Sequence, residues 1–232
     1  METIVKLLAL DTSTEACSVA LYQDGAVFAL DEVCPQQHSK RVLPMVQQAL
    51  ATAELRLQDL DGIVFGRGPG SFTGVRIGVG VCQGLAFGAD LPVFGVSTLA
   101  AMAQAAHRLH QATAVVAAID ARMAEVYFAQ YQLSAAGLML PISDEIARKP
   151  TELPACLVEG SGFAVGTGFV TYASQFSAWA KLTPCPDVLY PSAQDMLALA
   201  QPAWQAGQFI AAELAEPIYV RDEVTWQKLP GR

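Results

Sequence analysis

Asp11-Thr12-Ser13-Thr14 places a carboxylate and three hydroxyls directly after an apolar run. Further on, Gly68-Pro69-Gly70 makes a tight loop, and Ser71 and Thr73 behind it are good helix N-caps. Helix N-termini attract anions, so a glycine loop there can cradle phosphate. This loop lacks the Lys-Ser/Thr of a P-loop and the spacing of the dinucleotide fingerprint, and the local pattern favours packing over anion binding. Ser71 has no His and Asp in a hydrolase order and no G-x-S-x-G elbow. Cys17 and Cys34 have no identifiable base, so no nucleophile is argued. The histidines are 38, 107 and 110. His107 and His110 lie at i, i+3 near an expected helix C-terminus, where a contact with the helix dipole is the expected role.

Regular elements must position these groups. Residues 4–10 form a continuous apolar run, a buried strand. Residues 16–23 alternate weakly and end at Asp24-Gly25, a hairpin signal, with 26–33 as the return strand. Residues 38–53 carry Val42, Leu43, Val46, Ala49, Leu50 and Ala53 at helical spacing. Pro44 inside that helix predicts a kink or a late start. Residues 62–66 are a short strand feeding the glycine loop. The helix that follows carries one charge, Arg76, and glycines at 74, 78, 80, 84 and 88. Each interior glycine costs about 1 kcal/mol relative to alanine. Gly80, Gly84 and Gly88 share one face, and Gly74, Gly78 and Cys82 another. Two flat grooves result, one to pack on a sheet and one in need of a partner. A strand at 92–96 and a helix from 97 to about 110 follow.

The second half restarts the pattern. Strands are expected at 114–119, ending at Asp120, and at 125–132. Residues 145–151 read as a loop or edge, 157–159 and 164–166 as short strands, and 169–181 and 193–205 as helices. The tail, 215–232, should fold back as a strand, because Ile218, Tyr219 and Trp226 would otherwise be exposed.

Composition narrows the function classes. The chain is 53% hydrophobic and 16% charged, that of a globular protein with a large core. No apolar run reaches the ~20 residues of a membrane span, and the first ten residues are too short and wrongly charged for a signal peptide. The five cysteines are scattered, without a C-x-x-C pair, and read as reduced thiols of a cytoplasmic protein. A net charge of −8 and no basic patch argue against unaided nucleic-acid binding.

A three-strand meander followed by strand–helix repeats resembles the lobe of the actin/hexokinase/Hsp70 fold type. The fold class expected is therefore α/β, a two-lobed actin-like ATPase fold in which each lobe is a mixed sheet with helices. Residues 1–110 form the first lobe, with the partner-binding helices. Residues 111–232 form the second lobe and a tail returning to the first. On that fold Asp11, Thr12 and Ser13 occupy the first phosphate position, and Asp120 faces them from the second lobe.

L-A-L-D-T-S-T-E-A-C-S-V-A, H-S-K-R-V-L-P-M-V, G-R-G-P-G-S-F-T-G-V-R-I-G-V-G, P-V-F-G-V-S-T-L, A-A-I-D-A-R-M-A-E-V-Y, V-G-T-G and A-E-P-I-Y-V-R together resemble the TsaB (YeaZ) family from end to end. The G-P-G-S-F-T-G-x-R-x-G run is the specific signal. The resemblance implies a part in making N6-threonylcarbamoyladenosine at position 37 of tRNAs that read ANN codons. It implies pairing with TsaD, the related catalytic subunit, and with the ATPase TsaE, the donor threonylcarbamoyl-AMP coming from a separate enzyme.

TsaD-like relatives hold a metal on a V-x-H-x-x-x-H segment after their own glycine helix. Alignment on the glycine loop puts Thr98 and Met102 at the histidine positions. A hydroxyl and a thioether are poor ligands for such a metal, so none is expected. In active relatives the acidic residue at the Asp120 position holds Mg²⁺, and a glycine-rich second loop completes the site. Here Asp120 precedes Ala121-Arg122-Met123, which would crowd a phosphate. Asp11, Thr12, Ser13, Asp120, Gly166 and Gly168 are thus read as a vestigial nucleotide cleft.

The reading that follows is a non-catalytic subunit with no intrinsic cofactor, ATP or ADP being admitted only at a partner interface. Alone it is a homodimer; with TsaD and TsaE it supports modification, meets tRNA only within the complex, and touches no membrane. The expected interface comprises Leu43, Val46, Leu50, Gly74, Arg76, Gly80 and Gly84. Three alternatives stay open: an active ATPase or kinase of the same fold, a peptidase-like protein acting on TsaD, and a protein that only forms homodimers, with no enzyme partner.

Overall fold

The structure, a computed structural model, describes residues 5–158 and 161–221. The first apolar run forms β1 (Lys6–Asp11), buried from Leu7 onward. A strand covered on both faces belongs at the centre of a sheet. β2 (Ala16–Gln23) and β3 (Ala26–Val33) follow as an antiparallel meander. Their turn is Asp24-Gly25, with positive φ at both residues, as a tight two-residue hairpin requires. α1 (His38–Thr52) leads to β4 (Gly62–Gly68), parallel to β1, and α2 (Phe72–Ala89) leads to β5 (Val93–Ser97), parallel to β4. The first sheet therefore runs β3-β2-β1-β4-β5.

α3 (Thr98–His110) connects to the second sheet. There β6 (Ala114–Arg122) and β7 (Glu125–Leu133) form an antiparallel hairpin, and β8 (Met139–Pro141) and β9 (Ile146–Arg148) both pair with β7. β10 (Phe163–Val165) is parallel to β6; after α4 (Thr167–Thr171), β11 (Thr183–Pro184) is parallel to β10. α5 (Ala193–Gln205) is the last long helix described. Two mixed sheets, each opened by an antiparallel meander and extended by parallel strands, give the two-lobed actin-like architecture.

Packing crosses the chain-order boundary at residue 110. α3 buries Leu99, Met102, Ala103 and Ala106 against Val115, Ala117, Ile119, Ala129 and Tyr131 of the second sheet. α5 buries Ala193, Met196, Leu197 and Ala200 against Leu7, Ala9, Ala20 and Val64 of the first. Each half thus covers a face of the other's sheet. The carboxylate of Asp195 on α5 is held from α3 by Arg108, in two hydrogen bonds of 2.8 Å.

Three expectations differ from the structure. α1 begins at His38 with Pro44 inside it, so the late start is not found. The expected helix at 169–181 is only α4 followed by two 3-10 turns at 173–175 and 177–179. Phe176 and Trp179 bury themselves under the second sheet with Phe128, and that placement breaks the helical periodicity. The described part of the tail is not a strand. It lies along the first sheet, with a single bridge from Ile210 to Val93, the Gln83 side chain donating to the carbonyls of Ala212 and Ala215, and the Ile218 N–H donating to the Arg67 carbonyl. Trp226 lies outside the described residues.

Candidate functional site

Two surfaces concentrate the residues singled out by the sequence: the cleft between the sheets, and the outer face of α2. The cleft is a cavity of about 440 Å³. Ser13, Thr14 and Glu15 from the turn after β1, Gly70 and Ser71 from the glycine loop, and Asp120 and Arg122 from the β6–β7 hairpin all line it. The Ser71 hydroxyl caps α2 by accepting from the Gly74 N–H at 3.3 Å.

Asp11 is not on the cavity wall but beneath it, 1% exposed. Its Oδ1 accepts from the Ser13 N–H and the Ser13 hydroxyl, both at 2.8 Å, which fixes the turn. Its Oδ2 has no partner and faces Gly66, where a Cβ would overlap the carboxylate. Burial pushes the carboxyl up to about 6, against the two Ser13 hydrogen bonds that lower it. Thr12 turns to α2, its hydroxyl donating to the Gly74 carbonyl at 2.7 Å.

Asp120 is engaged within its own lobe. It accepts from the Arg122 backbone N–H at 2.8 Å and the Tyr172 hydroxyl at 2.9 Å. Arg122 then spans the cleft mouth, 3.3 Å from Asp120 and 3.1 Å from Glu15. Arg122, Met123 and Ala124 all have positive φ, a run that non-glycine residues adopt at a cost. The hairpin therefore carries local strain while it points a guanidinium across the cleft mouth. Arg221 comes from the tail to the same wall and pairs with Glu125.

Gly166 and Gly168 do not face the cavity. A Cβ at either would press on the Ala118 carbonyl, so they let the β10–α4 turn pack on β6. Gly166 and Gly168 thus pack on β6, and Asp11 lies beneath the cavity, so none of these three positions lines it. Thr98 and Met102 are fully buried; the Thr98 hydroxyl donates to Ser13 at 3.0 Å. His38, Tyr172 and Arg221 were not singled out. His38 lines the cavity, and its Nε2 is buried without a partner. The signal available for it was its place at the first position of α1; Tyr172 and Arg221 reach the site only through long-range folding.

α2 separates its two glycine rows. Gly74 and Gly78 face the turn after β1: a Cβ at Gly74 would collide with the Thr12 carbonyl, and one at Gly78 would sit 2.8 Å from the Thr12 hydroxyl. Gly80, Gly84 and Gly88 have nothing within 4 Å of an added Cβ. Along this open row Phe72 is 60% and Phe87 65% exposed, and Arg76 stacks on the Phe72 ring at 3.3 Å with Tyr219 beyond it at 4.8 Å. α2 has the length and apolarity of a membrane span, the only such helix among the described residues. Its inner face, however, is built into the first sheet through Val75, Val79, Cys82 and Ala86. On α1, Leu43 is exposed and Leu50 half-buried, but Val46 is in the core with Val42, Met45 and Ala49. Val46 and Gly74 are therefore unavailable to a partner, because the core already covers Val46 and the turn after β1 covers Gly74.

A family model described as TsaD: tRNA N6-adenosine threonylcarbamoyltransferase matches residues 30–166. The chain is similar to the tRNA threonylcarbamoyladenosine biosynthesis protein TsaB of Escherichia coli strain K12, 48% identical over 98% of this chain and 100% of that protein. It is similar to the Haemophilus influenzae protein of the same name, 51% identical over 97% of this chain and 98% of that one. A solved structure described as YeaZ from Pseudomonas aeruginosa matches with a TM-score of 0.87 at 46% identity, covering 93% of this chain and 99% of that chain.

Proposed function

Since the chain belongs to the TsaB family of tRNA threonylcarbamoyladenosine biosynthesis proteins, we propose that it serves there as a non-catalytic subunit that docks the catalytic protein TsaD through the outer face of α2. The observation that carries this reading is the open glycine row with Phe72 and Phe87 beside it. A helix apolar nearly all round, and covered on one side only, leaves a patch that an associating surface fills. Glycines let a partner helix come close, so the geometry suits helix-on-helix packing. The exposed Leu43 on α1 extends the surface.

The same face serves two associations, a homodimer of the free chain and a heterodimer with TsaD, and the two compete. The ATPase TsaE joins the complex, and tRNA is met only there, because the chain has a net charge of −8. The protein works in the cytoplasm. Arg122 across the cleft, together with Asp120 already engaged by its neighbours, supports a cleft that turns over no nucleotide by itself. ATP or ADP enters only where a partner completes a site. The Ser71 hydroxyl is taken up in capping α2 and the Ser13 hydroxyl in holding Asp11, which speaks against a peptidase nucleophile in the cleft.

Light scattering on a sizing column, alone and with TsaD, tests the docking face. Gly84→Leu adds a wedge at an open position and is expected to give a folded monomer that no longer co-elutes with TsaD. Unchanged complexes from Gly80→Leu, Gly84→Leu and Phe87→Asp would place the interface elsewhere. Reconstitution completes the test: modification is expected only with TsaD, TsaE, donor and this chain together. Multiple turnovers of ATP by this chain alone would favour the kinase reading.

A further inference from the structure

We propose that His110, Cys185 and Asp187 form a site for one borderline divalent cation of the zinc class, at the junction of the α3 C-terminus and the turn after β11. The three side chains each bring one ligand atom, and all three atoms lie within 4.8 Å of one another. Imidazole, thiol and carboxylate are the donors that zinc takes, and one thiolate with one imidazole selects it over magnesium or calcium.

The ligands are held before any cation arrives. Cys185 begins the turn Cys185-Pro186-Asp187-Val188, closed by the Val188 N–H donating to the Cys185 carbonyl at 3.2 Å. The Cys185 N–H donates to the Ala164 carbonyl at 2.9 Å, which ties the turn to β10. Pro186 stiffens the turn between the two ligands. Opposite, the His110 ring stacks on Phe163 at 6.1 Å, with its Nε2 2.8 Å from the Asp187 carboxylate. These three residues come from two segments 75 positions apart, so neither segment alone makes the site.

A plainer account exists for each residue singly. His110 and Asp187 are a hydrogen-bonded pair at the surface, and such pairs contribute little. Cys185 is a small buried residue, and free cysteines often are. What those accounts leave out is the convergence: the buried thiol of this turn sits at the edge of the core that covers α3 and also ends beside the His110–Asp187 pair. Cys185 forms the inner wall, while His110 and Asp187 are exposed, so water takes the remaining position.

Cobalt(II) is the probe, because a thiolate ligand gives it a charge-transfer band in the near ultraviolet. Untagged Cys156→Ala protein removes the exposed thiol and is titrated with cobalt, then with zinc in competition. The expected result is one equivalent bound, with the thiolate band, reversed by zinc. Cys185→Ala abolishes the band, and His110→Ala or Asp187→Asn weakens binding at least about tenfold. His110 is exposed at a helix end, so its variant keeps the fold and decides the matter even where Cys185→Ala does not fold. No cobalt bound at micromolar protein, or a band unchanged in His110→Ala, overturns the proposal. The readout is independent of TsaD and of tRNA modification.

Discussion

Asp11→Asn isolates the most unusual charge in the molecule. The carboxyl is 1% exposed, has one oxygen without a partner, and is pushed up to about 6 by burial. An unfolded aspartate titrates near about 3.9. Below that pH both states are protonated, and the side chain carries no penalty. As pH rises toward 6 the unfolded chain ionises first, so native stability falls, and above 6 the loss is complete. A displacement of about two units, at about 1.4 kcal/mol each, corresponds to about 3 kcal/mol of stability lost between pH 4 and pH 7. Asparagine keeps the shape and the acceptor for Ser13 but cannot ionise. Its amide nitrogen at the unpartnered position adds an offset that does not vary with pH. Urea unfolding of both proteins between pH 4 and pH 7.5 is the assay. The variant-minus-parent difference in unfolding free energy should climb by about 3 kcal/mol over that range, in the variant's favour. A difference flat within error across the range would refute the reasoning, because it would mean that Asp11 ionises as freely in the fold as outside it.

Three further outcomes are expected. In the monomeric Phe87→Asp background, Gly84→Ala should raise stability by about 1 kcal/mol, since helix propensity improves and nothing in the chain stands in the way, while Gly74→Ala, pressed on Thr12, should lose about 1–3 kcal/mol; thermal melts of the pair check the opposite signs. Arg108→Ala should cost about 3 kcal/mol by leaving the Asp195 carboxylate buried alone; adding Asp195→Asn should recover much of it, read by urea unfolding. One thiol per chain, Cys156, should react rapidly with a disulfide reagent at pH 8, while Cys17 and Cys82, pushed up to about 12 by burial, stay silent until the protein unfolds; two fast thiols in the native protein would contradict this.

The two sheets and their meanders were legible because buried strands and hairpin turns leave local marks: the run before Asp11, the Asp24-Gly25 turn, the alternation after Glu125. The two glycine rows of α2 were also legible, from four-residue spacing alone. Which row faces inward was not, because rotation about the helix axis depends on the Thr12 carbonyl, a contact 62 residues away. For the same reason α1 offered Leu43, Val46 and Leu50 as one stripe. The core takes Val42, Met45, Val46 and Ala49, and the chosen stripe straddles its edge. In the cleft, Asp120 and Arg122 could be named from sequence, but the hydroxyl of Tyr172 that holds Asp120 could not, since the helix that periodicity predicts there gives way to aromatic burial.

At its middle α2 presents Gly78 to the turn after β1 and Gly80 to the outside, so along that one line through the helix no side chain intervenes. A helix backbone alone is only about 5 Å across between Cα atoms. Elsewhere in the fold, rotamers can yield and absorb a push. At Gly78 and Gly80 nothing of that kind is available, so whatever rests on the outer row is separated from the Thr12 hydroxyl by one thickness of main chain. Mechanically this is a stiff diaphragm rather than a cushion. A partner seated on the outer row therefore lies one helix backbone away from the turn that forms the cavity floor.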